Sequence, residues 1–91
     1  MHTVLITDDN DLIRETLQKA LVGDGYRVQL AKNGGECLEA VRSGDVDLIL
    51  LDMRLPDMNG LDVLRSLRES HPDIIVLMMT AYGDVESTKR A

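Results

Sequence analysis

Short apolar, β-branched runs alternate with segments of helical period along this chain, and that alternation leaves few architectures open. Thr3-Val4-Leu5-Ile6-Thr7 reads as a buried strand closed by the polar Asp8-Asp9-Asn10. Behind it, Ile13, Leu17, Ala20 and Leu21 follow i, i+4, i+7, i+8, one face of a helix that stops near Gly23 and Gly25. Val28 and Leu30 alternate with Arg27 and Gln29, which predicts a half-exposed second strand. Asn33 then caps a second helix, with Glu36 completing a capping box and Gly44 ending the helix. Leu48-Ile49-Leu50-Leu51 predicts a third strand that delivers Asp52 to its C-terminal end, followed by a loop through Pro56 and Gly60. A third helix is expected to bury Leu61, Leu64 and Leu67, and Pro72 blocks its continuation. Ile74 to Met79 supplies a fourth strand ending at Thr80, and Asp84 stands where it would cap a fourth helix.

Each parallel return needs a crossover, so strands that alternate with helices predict one α/β domain over residues 1–91, a doubly wound parallel sheet flanked by helices. Near-continuous apolar strands fit a sheet covered on both faces. Sites in open sheets of this kind lie beyond the carboxyl ends of the strands. Those ends carry Asp8-Asp9, Asp52 and Thr80.

Charge decides which ligands suit that convergence. A formal net charge of −6, without a Lys/Arg cluster or an aromatic platform, argues against nucleic-acid contact by this segment. The apolar runs are far shorter than the roughly 18 residues of a membrane span. The N-terminal Met1-His2-Thr3-Val4 has no secretory signal, and the single Cys37 has no partner for an internal disulfide, so a cytoplasmic location is expected. Cys37 shares an apolar stripe with Leu38 and Val41 and is read as a small buried hydrophobe. His2 and His71 have no partner at ligand spacing, Asp11, Asp57 and Asp84 sit where caps or turns belong, and Met78 and Met79 read as core.

Carboxylates held together repel one another, and a divalent cation turns that repulsion into coordination. Magnesium suits an all-oxygen set. With Asp9, Asp52 and a loop carbonyl near Arg54 holding the ion, Asp52 would be placed to attack phosphorus, and carboxylate nucleophiles do form aspartyl-phosphates.

The acidic pair Asp8-Asp9, the run Leu50-Leu51-Asp52, the loop Met53-Arg54-Leu55-Pro56-Asp57-Met58-Asn59-Gly60 and Met79-Thr80-Ala81 together resemble the receiver domain of two-component response regulators. The resemblance implies a flavodoxin-like fold with strand order 2-1-3-4. It also implies that Asp52 accepts a phosphoryl group from a histidine kinase or phosphotransfer protein, with Mg2+ held by Asp8, Asp9, Asp52 and the Arg54 carbonyl. Thr80 would hydrogen-bond the phosphoryl group and small Ala81 would leave room for it. Such a domain is a switch rather than a turnover enzyme. The stretch Thr80-Ala81-Tyr82-Gly83-Asp84-Val85-Glu86 is similar to receivers of nitrogen-regulation-type transcriptional activators.

Receivers of this family also carry a fifth strand, ending in a lysine, and a fifth helix, whereas this sequence stops at Ala91 and Lys89 falls in the would-be fourth helix. An apolar sheet edge is therefore expected at the fourth strand, inviting a dimer or a domain swap. Two other readings stand beside the switch. One is a non-phosphorylated, receiver-derived interaction or assembly fragment. The other is a metal-dependent phosphohydrolase, which usually places a second Asp two positions after its nucleophile, where this chain has Arg54.

Overall fold

The structure, a computed structural model, describes residues 2–79. Seven elements alternate: β1 (Thr3–Thr7), α1 (Asp11–Gly23), β2 (Arg27–Ala31), α2 (Gly34–Arg42), β3 (Leu48–Asp52), α3 (Gly60–Ser70) and β4 (Ile75–Met79). All pairings are parallel and the strand order is β2-β1-β3-β4, as expected for a doubly wound sheet. Thr80, Ala81, Asp84 and Lys89, with the expected fourth helix, lie outside the described residues. Among the described residues no helix is long and apolar enough to cross a membrane.

Side chains alternate across the sheet, so each strand feeds two layers. Leu5, Ala31, Ile49 and Leu51 meet Cys37 and Val41 of α2 and Val63 and Leu67 of α3 in the main core, with Val76 and Met78 packed against it. Burying an aliphatic side chain of that size contributes about 1.5–3 kcal/mol. The opposite face is covered less completely. α1 lies over β1 and β2, and Ile75 and Leu77 on β4 remain 60% and 52% exposed.

The helix termini follow the sequence, with one change. Asn10 accepts from the Ile13 N–H and Asn33 from the Glu36 N–H, each as an N-cap. Glu36 does reach back, but to the Lys32 N–H rather than that of Asn33, so the expected capping box is displaced by one residue. Gly25 and Gly44 close their turns at positive φ, 92° and 103°, where a Cβ would be strained.

Three expected faces need correction. Leu61 is exposed, and the buried stripe of α3 is Gly60, Val63 and Leu67, because Gly60 is tucked beneath the Asp52 carbonyl and sets the helix phase. Ala20 is exposed, and Leu17 and Leu21 are only half-buried, since no residue of α1 is fully enclosed. On β2 the outer residue is Leu30, which shares the α1 side with Val28 but remains exposed near the end of an edge strand.

Candidate functional site

β1 and β3 are adjacent and pair Thr7 with Leu51, so their next residues, Asp8 and Asp52, emerge side by side at the carboxyl edge of the sheet. Asp9 follows one step later. One carboxylate oxygen from each of Asp8, Asp9 and Asp52 lies within 4.8 Å of the others. Burial grades across the trio: Asp8 is buried, Asp52 half-buried and Asp9 exposed. The cluster therefore has a protein wall behind it and open solvent before it. A groove lined by Asp8, Asp9, Leu12, Ile13, Asp52 and Met79 opens beside it.

Each carboxylate is oriented by the backbone around it. Asp8 Oδ1 accepts the Asn10 N–H at 2.9 Å, and the Arg14 guanidinium donates to the Asp8 carbonyl at 2.6 Å while pairing with Asp11. Asp52 Oδ1 accepts the Arg54 N–H at 3.3 Å. Burial pushes the Asp52 carboxyl above the ordinary carboxylate range; the Arg54 N–H pulls it down, the charges of Asp8 and Asp9 push it up, and the Met53 N–H pulls it down. Three carboxylates gathered within 4.8 Å, all of them oxygen donors, fit a hard divalent cation.

The loop after Asp52 is tightly built. The Met53 N–H donates to the Met79 carbonyl at 3.2 Å, and the Gly60 N–H donates to the Met53 carbonyl at 2.7 Å. Arg54 bridges to Asn59 across the loop. A Cβ on Gly60 would lie 2.4 Å from the Asp52 carbonyl oxygen, so this crossing requires glycine.

Of the residues singled out from sequence, Asp8, Asp9 and Asp52 converge, and Arg54 stands beside them on the loop. Thr80 and Ala81 follow β4, whose last residue Met79 pairs with Asp52, but lie outside the described residues. Cys37 is fully buried, and burial pushes its thiol up. Two supports of the site were missed. Arg14 steadies the Asp8 loop, and its spacing of three from Asp11 was the available signal. Asp57 reaches another helix altogether, which no local spacing reveals.

Residues 4–91 match the family described as "Response regulator receiver domain". The transcriptional regulatory protein ZraR of Klebsiella oxytoca is 42% identical over 97% of this chain and 20% of its own length. The DNA-binding transcriptional regulator NtrC of Escherichia coli is 39% identical over 97% of this chain and 19% of its own. The chain thus spans about a fifth of the length of these relatives. Among solved structures, the response regulator TrrA of Thermotoga maritima in complex with Mg(2+)-BeF superposes with TM-score 0.88 at 37% identity, covering 96% of this chain and 76% of TrrA. TrrA in complex with the histidine kinase ThkA gives TM-score 0.85 at 38% identity, covering 90% and 71%.

Proposed function

The chain belongs to the response regulator receiver domain family, and from that premise we propose that Asp52 is its phosphoacceptor, charged by a histidine kinase or phosphotransfer protein. The observation that carries this reading is the convergence of Asp8, Asp9 and Asp52 at the carboxyl edge of two adjacent strands. Asp8, Asp9, Asp52 and the Arg54 carbonyl would hold Mg2+. When bound, the ion neutralises the cluster and the oxygens of the incoming phosphoryl group. TrrA, similar over nearly the whole chain, has been solved with Mg(2+)-BeF and with a histidine kinase, which supports both the metal and the donor class.

The transfer asks little covalent chemistry of the protein beyond one nucleophile. A carboxylate oxygen of Asp52 attacks phosphorus, an O–P bond forms as the N–P bond of a phosphohistidine breaks, and the imidazole nitrogen keeps the electron pair. The Arg54 N–H at Asp52 Oδ1 holds the nucleophile in place at the wall of the groove. Thr80 would donate its hydroxyl to the new phosphoryl group, and Ala81 would leave it space. The product is a switch state, read by surfaces elsewhere, and its output follows those of transcription regulators such as ZraR and NtrC.

The test is labelling by a small-molecule phosphodonor with magnesium, parent against Asp52→Asn. Label confined to the parent is expected, and equal labelling of both overturns the assignment. β4 is the outermost strand of the described sheet, and its free edge is where we expect two copies of this segment to pair. Light scattering of a compact monomer would count against that pairing.

A further inference from the structure

Asp57 stands in the loop that follows the phosphoacceptor, yet both of its oxygens are spent on a different element. Oδ1 accepts the Gly34 N–H at 2.8 Å and Oδ2 accepts the Gly35 N–H at 2.9 Å, so the carboxylate closes on the first turn of α2. Those N–H groups have no partner within their own helix, and the positive end of the helix dipole faces the carboxylate. The adjacent Met58 seals the same contact: a Cβ on Gly34 would lie 2.4 Å from Met58 Cγ and 3.0 Å from Val63 Cγ2. Gly34 is buried for that reason, and at this contact the first turn of α2 meets the Asp57 and Met58 side chains with backbone alone.

The loop is therefore fixed at three places. Gly60 is wedged under the Asp52 carbonyl, Arg54 and Asn59 bridge its sides, and Asp57 with Met58 anchors its apex to α2. Arg54 lies between the first and last of these anchors, and its N–H is the one that reaches Asp52 Oδ1. Freeing the apex removes one of the three anchors on the segment that carries Arg54. Partners that orient a ligand-bearing segment typically change metal affinity by about 10–100-fold when removed.

We propose that Asp57 is a positioning residue for the phosphoryl and metal site, holding the β3–α3 loop on the N-terminus of α2 so that Arg54 stays in register with Asp52. It touches neither substrate nor ion and acts through the loop backbone. The inference rests on the phosphoacceptor reading of Asp52 for its functional consequence.

The experiment compares the parent with Asp57→Ala and Asp57→Asn, in Mg2+ titrations followed by amide NMR and in urea unfolding. The expected result is Mg2+ affinity about tenfold weaker in Asp57→Ala, faster exchange of the Gly34, Gly35 and Arg54 amides, and an intermediate affinity in Asp57→Asn, which keeps one accepting oxygen. A purely structural cap would lower the urea midpoint and free the Gly34 and Gly35 amides while leaving Mg2+ affinity and the Arg54 amide unchanged, and that result overturns the proposal. Should Asp57→Ala fail to fold, the Asn variant carries the same comparison. Absence of saturable Mg2+ binding by the parent overturns the phosphoacceptor reading and this inference together. Saturable binding that the folded variants match overturns the inference alone.

Discussion

Asp52→Asn removes one charge from a cluster whose members repel one another, while the amide oxygen still accepts the Arg54 N–H. At the 4.8 Å that bounds the carboxylate oxygens, one unit pair costs about 0.9 kcal/mol in water and about 3.5 kcal/mol at an effective dielectric constant of 20. Asp9 is exposed and Asp52 only half-buried, so the value nearer water governs and a net gain of about 1 kcal/mol is expected without metal. For a domain of this size that is a rise in Tm of about 4–8 °C. Saturating Mg2+ acts in the opposite sense: at a hundred times its dissociation constant it stabilises the parent by about 2.7 kcal/mol, whereas the variant has lost a ligand. The order of stability should therefore invert between EDTA and excess Mg2+, as read by urea unfolding under circular dichroism. The sign with pH is fixed as well. The folded Asp52 carboxyl lies above its ordinary value of 3.8, so its ionisation penalty is absent at lower pH and grows as pH rises from there through the folded value. The advantage of the variant in EDTA should widen over that window. A variant less stable than the parent in EDTA, or one that gains as much from Mg2+, would refute the account of the cluster as a repulsive site relieved by a cation.

Gly60→Ala should destabilise by about 1–3 kcal/mol, because its Cβ would meet the Asp52 carbonyl oxygen and the Met53 Cα, both backbone. Gly34→Ala should cost less, since the atoms met first belong to the flexible Met58 side chain, and urea midpoints that rank the two the other way would contradict this. Backbone N–H groups of Gly34 and Gly35 hold the Asp57 carboxyl below its ordinary 3.8, so its stabilisation is complete above that value and is lost as pH falls through the folded one. Parent and Asp57→Ala should differ in urea midpoint at pH 5 and converge in stronger acid. Cys37, buried with its thiol pushed up, should react with a disulfide reagent at pH 8 only after unfolding; prompt reaction of the native protein would show the α2 packing to be looser than described.

The strand order followed from the resemblance to receiver domains. The parallel sheet and its carboxylate edge were legible because β1 carries the apolar run Val4-Leu5-Ile6 and is followed by Asp8-Asp9, while β3 runs through Leu48-Ile49-Leu50-Leu51 into Asp52. A pattern of that kind survives any choice of neighbours. What failed was coverage. Leu61 sits on a helix whose phase is set by Gly60 against the Asp52 carbonyl, a contact between residues that no periodicity links. Ala20 and Leu30 were expected inside because they are apolar and correctly phased, yet α1 packs loosely on an edge strand. The same division holds at the site. Asp8, Asp9 and Asp52 announce themselves by position, whereas Asp57 looks like a turn residue until the start of α2 is seen against it.

The pairing of Thr7 with Leu51 and of Asp52 with Met79 makes the acidic cluster an indicator of correct assembly. A slip of one residue along β3 would carry Asp52 about 3.3 Å and turn it to the opposite side of the sheet. The cluster needs β1 and β3 side by side, and these strands are separated in the chain by a helix, a strand and a second helix. Cutting the chain at the exposed Gly44-Asp45 turn, where both residues have positive φ, leaves Asp8 and Asp9 on one fragment and Asp52 on the other. Ion capture by the mixture would then report that the two halves had found each other in frame.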